Sequence, residues 1–203
     1  AVTMAPGSAQ RALQKAVALG ADRSVHLSDD ALVGSDVCAT GLALAKVLES
    51  ENPDVVLLGQ QSDDGECYTI GAVVADHLKM PSLTQVVKMD VEDGKLRCER
   101  QAEYGYDTVS LSLPAVIAVG DAINEPRYSS LKAIMGAKKK PLDTKSAGDV
   151  GIDAGQVGEA GSQTTVVALN PPPAKEAGEI IEDEDTNETV EKIVAWLDER
   201  KLI

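Results

Sequence analysis

The sequence predicts an α/β fold: a mostly parallel sheet with an antiparallel excursion, followed by an arm that ends in a helix. Two apolar runs, at 54–59 and 114–120, are unbroken, as expected of parallel strands buried on both faces. Other segments repeat their apolar residues with a helical period, and residues 87–113 alternate apolar and polar positions. These three patterns together indicate the class.

The first half of the chain alternates strands with helices. Residues 1–4 are typical of the end of a strand, and the apolar spacing of Ala9, Leu13 and Val17 predicts a helix that stops at Gly20. A short strand over 23–27 is expected next.

A second and a third helix surround the first unbroken run. Ser35 is the predicted cap of the second helix. After the strand at 54–59, the third helix is expected to place Cys67 at the start of its apolar face and to end before Pro81.

The second half begins with the excursion. Val87, Met89 and Val91 alternate with polar residues, the turn at 92–94 follows, and the alternation returns up to Leu113, which predicts an antiparallel ribbon. Beyond it, the run at 114–120 is again a buried strand.

The character of the chain changes after residue 141. A connection rich in Gly, Asp and Ser leads to a possible strand at 164–169 and to a proline-rich linker. The last helix has Asp185 as its predicted cap. Its apolar stripe consists of Val190, Ile193, Val194 and Leu197. We therefore divide the chain into an α/β domain, 1–141, and an arm with a helix, 142–203, long enough to pack on another chain.

Composition excludes several classes of function. The formal net charge of -14 argues against binding of nucleic acid, which requires a basic surface. The sequence has no apolar run of about 20 residues, so we expect no membrane insertion. The three cysteines form no CxxC pair and the two histidines lie far apart, which predicts neither a metal site nor a disulfide framework.

The segment LLGQQSDDGECYTIG, residues 57–71, joins a buried strand to a helix, where open α/β sheets bind ligands. Its glycines allow close approach of backbone, and the N–H groups that open the helix could hold a phosphate. A tight turn capped by Asp63 or Asp64 explains the residues equally well. Catalysis by these two carboxylates is disfavoured, because no nucleophile or histidine accompanies them.

A second segment, AINEPRYSSLKAIMGAKKKP at 122–141, concentrates basic residues in an acidic chain. A short apolar helix lies between its turn-like start and its lysines, which suit the end of a helix. A surface helix with its stripe in the core would explain the lysines. It would not explain the ordered start of the segment.

The same segment resembles the signature of the β subunit of electron-transfer flavoproteins. The stretches ALGADRSVHL, PDVVLLGQQSDDGE, VEDGKLRCER, GDVGID and the closing NPPP arm are similar to that family as well, in the same order. The resemblance covers nearly the whole chain, and the signature is its most specific part.

This resemblance implies an electron carrier and not an enzyme, with no catalytic residues and no metal. It implies a fold of the Rossmann or adenine-nucleotide-binding type and a heterodimer with an α subunit that holds most of the FAD, while the β subunit binds AMP. The carrier would take electrons from acyl-CoA dehydrogenases and other flavoprotein dehydrogenases and pass them to the quinone pool through a quinone oxidoreductase. Its compartment would be the cytoplasm, or the mitochondrial matrix in a eukaryote.

The resemblance also assigns residues to two sites. The AMP site would contain Met4, Gly59, Gln60, Gln61, Ser62, Asp64, Gly65, Glu66, Cys67, Tyr68, Thr69 and Ile70. The docking segment for partner dehydrogenases would contain Asn124, Glu125, Pro126, Arg127, Tyr128, Leu131, Ile134 and Met135, with Leu131 as the anchor.

Two departures from the family pattern leave alternatives open. The family's N-terminal strand and helix are missing from this sequence, so the sheet is expected to lack a central strand. The nucleotide loop at 64–71 differs from the common versions, so FAD in place of AMP, as in electron-bifurcating relatives, stays an alternative. Rival classes are a stand-alone adenine-nucleotide-binding module of the stress-protein type and a small hydrolase or transferase.

Overall fold

Most of the expected strands and helices are present in the computed structural model, which describes residues 1–63, 65–175, 178, 180 and 185–203. The strands are β1 (Val2–Met4), β2 (Ser24–Leu27), β3 (Val55–Gly59), β4 (Ser82–Glu92), β5 (Lys95–Ala102), β6 (Gly105–Ser112), β7 (Ala115–Val119) and β8 (Leu142–Lys145). The α-helices are α1 (Gln10–Leu19), α2 (Val37–Glu51), α3 (Ile70–Leu78), α4 (Leu131–Ala137), α5 (Gly158–Gly161) and α6 (Thr186–Glu199).

The described strands form two sheets. The first is parallel, in the order β1-β2-β8. The second has the order β3-β7-β4-β5-β6, in which β3, β7 and β4 are parallel and β4, β5 and β6 are antiparallel. The predicted class, a mostly parallel α/β fold with an antiparallel excursion and a C-terminal helix, is confirmed.

The core is built from aliphatic side chains, as a sequence without Phe requires. One cluster fills the space between the three-stranded sheet and α2, and two others lie on the five-stranded sheet. Helices α2 and α3 pack closely because Gly41 has no side chain: a Cβ there would collide with Val73. This contact holds α3, and with it the loop that precedes α3, against the body.

The start of α2 differs from the prediction. Asp36, not Ser35, is the cap, since its Oδ1 accepts the Ala39 N–H at 2.9 Å. The Ser35 hydroxyl instead donates to the Leu32 carbonyl at 2.7 Å and accepts the Gly158 N–H at 2.8 Å. Those two bonds occupy Ser35 and leave the cap to its neighbour.

Two other predicted elements are wrong. Cys67 lies before α3 and not on its face, because Glu66 has a φ of 45°, which a right-handed helix cannot contain. Residues 164–169 form no strand: the Thr164 N–H is bonded to Asp36, and Val166 and Val167 are exposed.

Contacts divide the described residues into a first unit, 1–165, and a second unit, 166–203. The first unit includes β8 and the buried side chains of Ala147, Ile152 and Val157. The sequence predicted a boundary at residue 141, with residues 142–203 forming an arm that packs on a partner subunit. That division stays a prediction.

Asp36 also fastens residues 162–164 to the body. Its Oδ2 accepts the N–H groups of Gln163, at 2.7 Å, and Thr164, at 3.1 Å, and its own N–H donates to the Ser162 hydroxyl at 2.8 Å. Hydrogen bonds to the charged carboxylate, first that of Ala39 and then those of Gln163 and Thr164, hold the pKa of Asp36 below its ordinary value.

We expect Asp36→Asn to lower the Tm most at neutral pH. A lowered pKa stabilises the fold above the unfolded aspartate pKa of about 3.9, and this contribution is lost as the pH falls through the lower folded pKa. Asn keeps one acceptor oxygen but turns an NH₂ group toward the donors at 163 and 164. Calorimetry from neutral pH down to acid should therefore show a difference from the wild type that shrinks below about pH 4.

Asp54→Asn is the matched control, because Asp54 is exposed and its carboxylate accepts no hydrogen bond in the described part of the chain. It should leave the Tm unchanged throughout. A difference between Asp36→Asn and wild type that is the same at neutral and acid pH would contradict the assignment.

Candidate functional site

Two segments predicted to be functional leave the same edge of the five-stranded sheet. Strand β3 pairs with β7 in parallel, with Gly59 opposite Val119. The loop at 59–70 follows β3, and the segment at 120–130 follows β7. Because carboxyl ends of parallel strands meet at one edge, the order of the strands brings the two segments together.

Local hydrogen bonds join residues 65–67 of the loop to one another and to Ser62. The Glu66 N–H donates to the Ser62 carbonyl at 3.0 Å, and the Gly65 N–H donates to the Ser62 hydroxyl at 3.4 Å. The Cys67 thiol donates to the Gly65 carbonyl at 3.2 Å. These bonds hold residues 65–67 next to Ser62.

The helix that follows the loop begins without a side-chain cap among the described residues. Its N-cap residue, Thr69, has a backbone in the helical region and makes no capping bond with its side chain. Asp63 is exposed and makes no bond to the helix start among the described residues, and Asp64 lies outside them. A turn capped by Asp63 is therefore not present in the described residues, and the phosphate site stays a prediction.

Met4 lies on the other sheet, at the carboxyl end of β1. It lines a cavity of about 890 Å³ together with residues 5–7, 28–30, 32–35 and Ser146. The residues that line this cavity come from the ends of β1, β2 and β8 and from the loop before α2. The structure therefore places Met4 and the loop at 59–70 on separate sheets.

His26, to which the sequence assigned no role, is fully buried in the middle strand of the small sheet. Its Nε2 lies 2.8 Å from the Ala5 carbonyl, which requires Nε2–H as the donor. Its Nδ1 is buried without a hydrogen-bond partner in the described part of the chain. This hydrogen bond holds the chain in place just after Met4. The sequence pattern of apolar and polar residues gave no sign of it.

The apolar stripe of α4 faces solvent. Leu131 is 74% exposed and Met135 63%, whereas Ala137 is buried. Tyr128 is fully exposed. Ser130 caps the helix by accepting the Ala133 N–H at 3.2 Å. The alternative that placed this stripe in the core is therefore wrong for this chain, and an exposed apolar surface favours recognition.

Two of the basic residues of this segment are structural. Arg127 donates to the Leu19 carbonyl at 2.7 Å, and Lys140 donates to the Ala21 carbonyl at 2.8 Å. Both acceptors lie at the C-terminal end of α1, where cations are favoured, and α4 packs on the same helix. The docking segment is thereby fastened at both ends, with its apolar face outward.

No cluster of His, Cys, Asp or Glu able to hold a metal ion occurs among the described residues. In the same part of the chain, no helix combines the length and the apolar character needed to cross a membrane.

Comparison with known proteins decides the family. Residues 1–150 match the family described as "Electron transfer flavoprotein domain". The "Electron transfer flavoprotein subunit beta" of Mycobacterium bovis is 42% identical over 203 residues, which cover all of this chain and 76% of the relative. The chain belongs to the β-subunit family of electron transfer flavoproteins.

Two other members show how widely the family resemblance extends. The "Electron transfer flavoprotein subunit beta" of Bos taurus is 36% identical over 98% of this chain and 74% of its own length. The "Caffeyl-CoA reductase-Etf complex subunit CarD" of Acetobacterium woodii is 36% identical over all of this chain and 78% of its own length.

Membership confirms the resemblance found in the sequence. It makes the chain a flavoprotein subunit in electron transport and one part of a heterodimer. This role fits the prediction of a carrier. The residues assigned to the AMP site and to docking stay predictions.

Proposed function

We propose that this β subunit carries electrons, together with its α subunit, from acyl-CoA dehydrogenases and related flavoprotein dehydrogenases to a quinone oxidoreductase and the quinone pool. The observation that supports this most directly is the exposed face of α4, fastened to α1 by Arg127 and Lys140. A carrier must dock on several partners in turn, and small transient interfaces suit that task.

FAD, held mostly by the α subunit, would supply the electron-carrying chemistry. In this chain, the loop at 59–70 would hold AMP, with its phosphate at the backbone N–H groups of 65–69 and its adenine toward Met4. The uncapped start of α3 supports a phosphate at 67–69, whereas the N–H groups of Gly65 and Glu66 bond to Ser62 and would have to turn toward the ligand. The chain's contribution would be to bind and orient the nucleotide.

The nucleotide proposal predicts that the purified heterodimer releases AMP on denaturation. We expect about one equivalent of AMP beside FAD, by liquid chromatography, because the uncapped helix start favours an anion. A second FAD without AMP would favour the bifurcating alternative. Release of no adenine nucleotide beyond one FAD would rule out both.

The variant Gly65→Val tests whether the loop at 59–70 holds the nucleotide. A Cβ at Gly65 would lie 3.5 Å from the Ser62 hydroxyl and 3.9 Å from the Cys67 thiol, so the branches of a valine would crowd the loop that we propose to hold the phosphate. The control is Gly148→Val, since Gly148 also lies beside a serine, Ser146, outside the loop. Nucleotide content should fall for the first variant and not for the second.

We also propose that α6 packs on the α subunit. This helix buries none of its residues, and Val190, Ile193 and Val194 are about half exposed. Trp196 is also exposed and lies under the Arg200 guanidinium, 4.0 Å from ring centroid to Cζ. Burial of a few hundred Å² of this stripe would stabilise a complex by several kcal/mol, at about 25 cal/mol per Å², before ordering costs.

Replacing Ile193 and Val194 by Ser should weaken assembly of the heterodimer by about tenfold or more, because it removes the centre of the stripe. Sedimentation or titration of the separated subunits would measure this. The control pair, Glu191→Ser with Asp198→Ser, changes charged residues of the same helix and should have a small effect. Equal affinities for both double variants would exclude α6 from the interface.

Leu131→Ala tests docking. Because Leu131 is 74% exposed, the Tm should change little, within about 0.5 kcal/mol of stability. As an anchor, Leu131 should contribute about 2 kcal/mol to partner binding, or roughly 30-fold in affinity. Reduction of the carrier by a purified flavoprotein dehydrogenase should therefore slow at subsaturating carrier.

Val91→Ala is the control for this variant, because Val91 is an exposed aliphatic residue, 69% accessible, at the far end of the ribbon. It should leave reduction unchanged. A sharp fall of the Tm in Leu131→Ala with normal electron transfer would show that Leu131 supports the fold instead.

A further inference from the structure

Strand β4 contains a bulge at the edge where the two functional segments leave the sheet. Along β7 the paired positions advance from Ile117 to Val119, while along β4 they advance from Leu83 to Val86, so β4 holds one residue more. Within the bulge, Gln85 has a φ of 59°, a left-handed conformation that side chains other than glycine rarely adopt.

The Gln60 side chain satisfies the backbone group that the bulge turns out of the ladder. Its Oε1 accepts the Gln85 N–H at 2.8 Å. Gln60 is the first residue after β3, and β7 lies between β3 and β4. The side chain therefore extends past the end of β7 to a strand two positions away.

The same bulge holds the start of the segment that leads to docking. The Gly120 N–H donates to the Val86 carbonyl at 2.9 Å, next to the residue that Gln60 contacts. A Cβ at Gly120 would lie 3.7 Å from the Val87 side chain, so the chain passes close to the bulge here. Gly120 also accepts the Ile123 N–H at 3.2 Å in the turn before Asn124.

We propose that Gln60 is a positioning residue that fastens the nucleotide loop at 59–70 and the docking lead-in at 120–128 to one bulge of β4. The bulge is held on one side by a side chain of the first segment and on the other by the backbone of the second. Loss of the Gln60 bond leaves the Gln85 N–H unsatisfied in a backbone conformation that already costs energy. The bulge is then weakened, and with it the bond between the Val86 carbonyl and the Gly120 N–H. The functional meaning of this link rests on the proposed function of both segments.

The test is hydrogen exchange of the purified heterodimer, read by mass spectrometry on peptides over 82–90 and 118–125. Gln60→Leu removes the acceptor, and Gln60→Asn keeps the amide but shortens its reach. Both variants should exchange about two- to tenfold faster in both peptides, the range expected for the loss of one hydrogen bond. Gln60→Glu retains an acceptor oxygen and should restore the wild-type rates.

Gln14→Leu is the matched control, since Gln14 is an exposed glutamine on α1, and it should alter neither peptide. Faster exchange confined to 82–90 would overturn the link, and so would a failure of Gln60→Glu to restore the rates. Gln60→Asn is the milder of the two changes. If Gln60→Leu does not assemble into the heterodimer, the exchange rates of Gln60→Asn in the two peptides provide the test.

A functional readout accompanies exchange. Affinity for a purified flavoprotein dehydrogenase should fall in Gln60→Leu and recover in Gln60→Glu, because Gln60 is not part of the docking segment; unchanged affinity in Gln60→Leu would overturn the link. The exchange arm requires no nucleotide. If the wild type releases no AMP while the exchange rates respond as expected, the nucleotide proposal fails and the positioning role of Gln60 stands.

Discussion

The backbone hydrogen bonds of β7 determine where the loop at 59–70 and the segment at 120–130 lie. Ala115, Val116 and Ile117 are fully buried, so their N–H and C=O groups cannot bond to water and must pair on both sides. They do so with β3 and β4, in parallel. Strands β3 and β7 consequently end at one edge, while β4 continues past it to Glu92, and the loops that follow β3 and β7 start there as neighbours. A shift of β7 by one residue would exchange the side chains that it packs on its two buried faces and move its carboxyl end relative to that of β3.

The distribution of side-chain types separates stability from recognition. The core consists of Val, Leu, Ile and Ala, while all four tyrosines and the tryptophan are exposed, from 37% for Trp196 to complete exposure for Tyr128. Aromatic residues are enriched where proteins bind each other, because they bury a large area at small entropic cost. A core without aromatics leaves all of them for the surface. This pattern suits a subunit that functions only in complexes.

Periodicity predicted α1, the antiparallel ribbon and β7. It also predicted α2 as a helix, although the buried residues of α2 occupy every second position from Ala39 to Val47. The pattern did not identify the cap of α2, because Ser35 and Asp36 are both suitable cap residues. The Ser35 hydroxyl bonds to the Gly158 N–H instead, so Asp36 caps the helix. Periodicity could not show whether the stripe of α4 faces the core or solvent, since both produce the same spacing. The bulge at Gln85 was likewise hidden, because no glycine marks it.

The basic segment of this acidic chain has two kinds of cation. Arg127 and Lys140 are bound to carbonyls at the end of α1, where the partial negative charge of a helix end favours them. Their charges are fixed, and their main effect is to hold α4 in place. Lys132, Lys138 and Lys139 are exposed and can contact a partner, where charge chiefly accelerates encounter and adds a dependence on salt. The two kinds of cation thus have different effects on the proposed docking. Changing an exposed lysine should alter the rate of encounter with a partner without moving the apolar face of α4, which Arg127 and Lys140 hold in place.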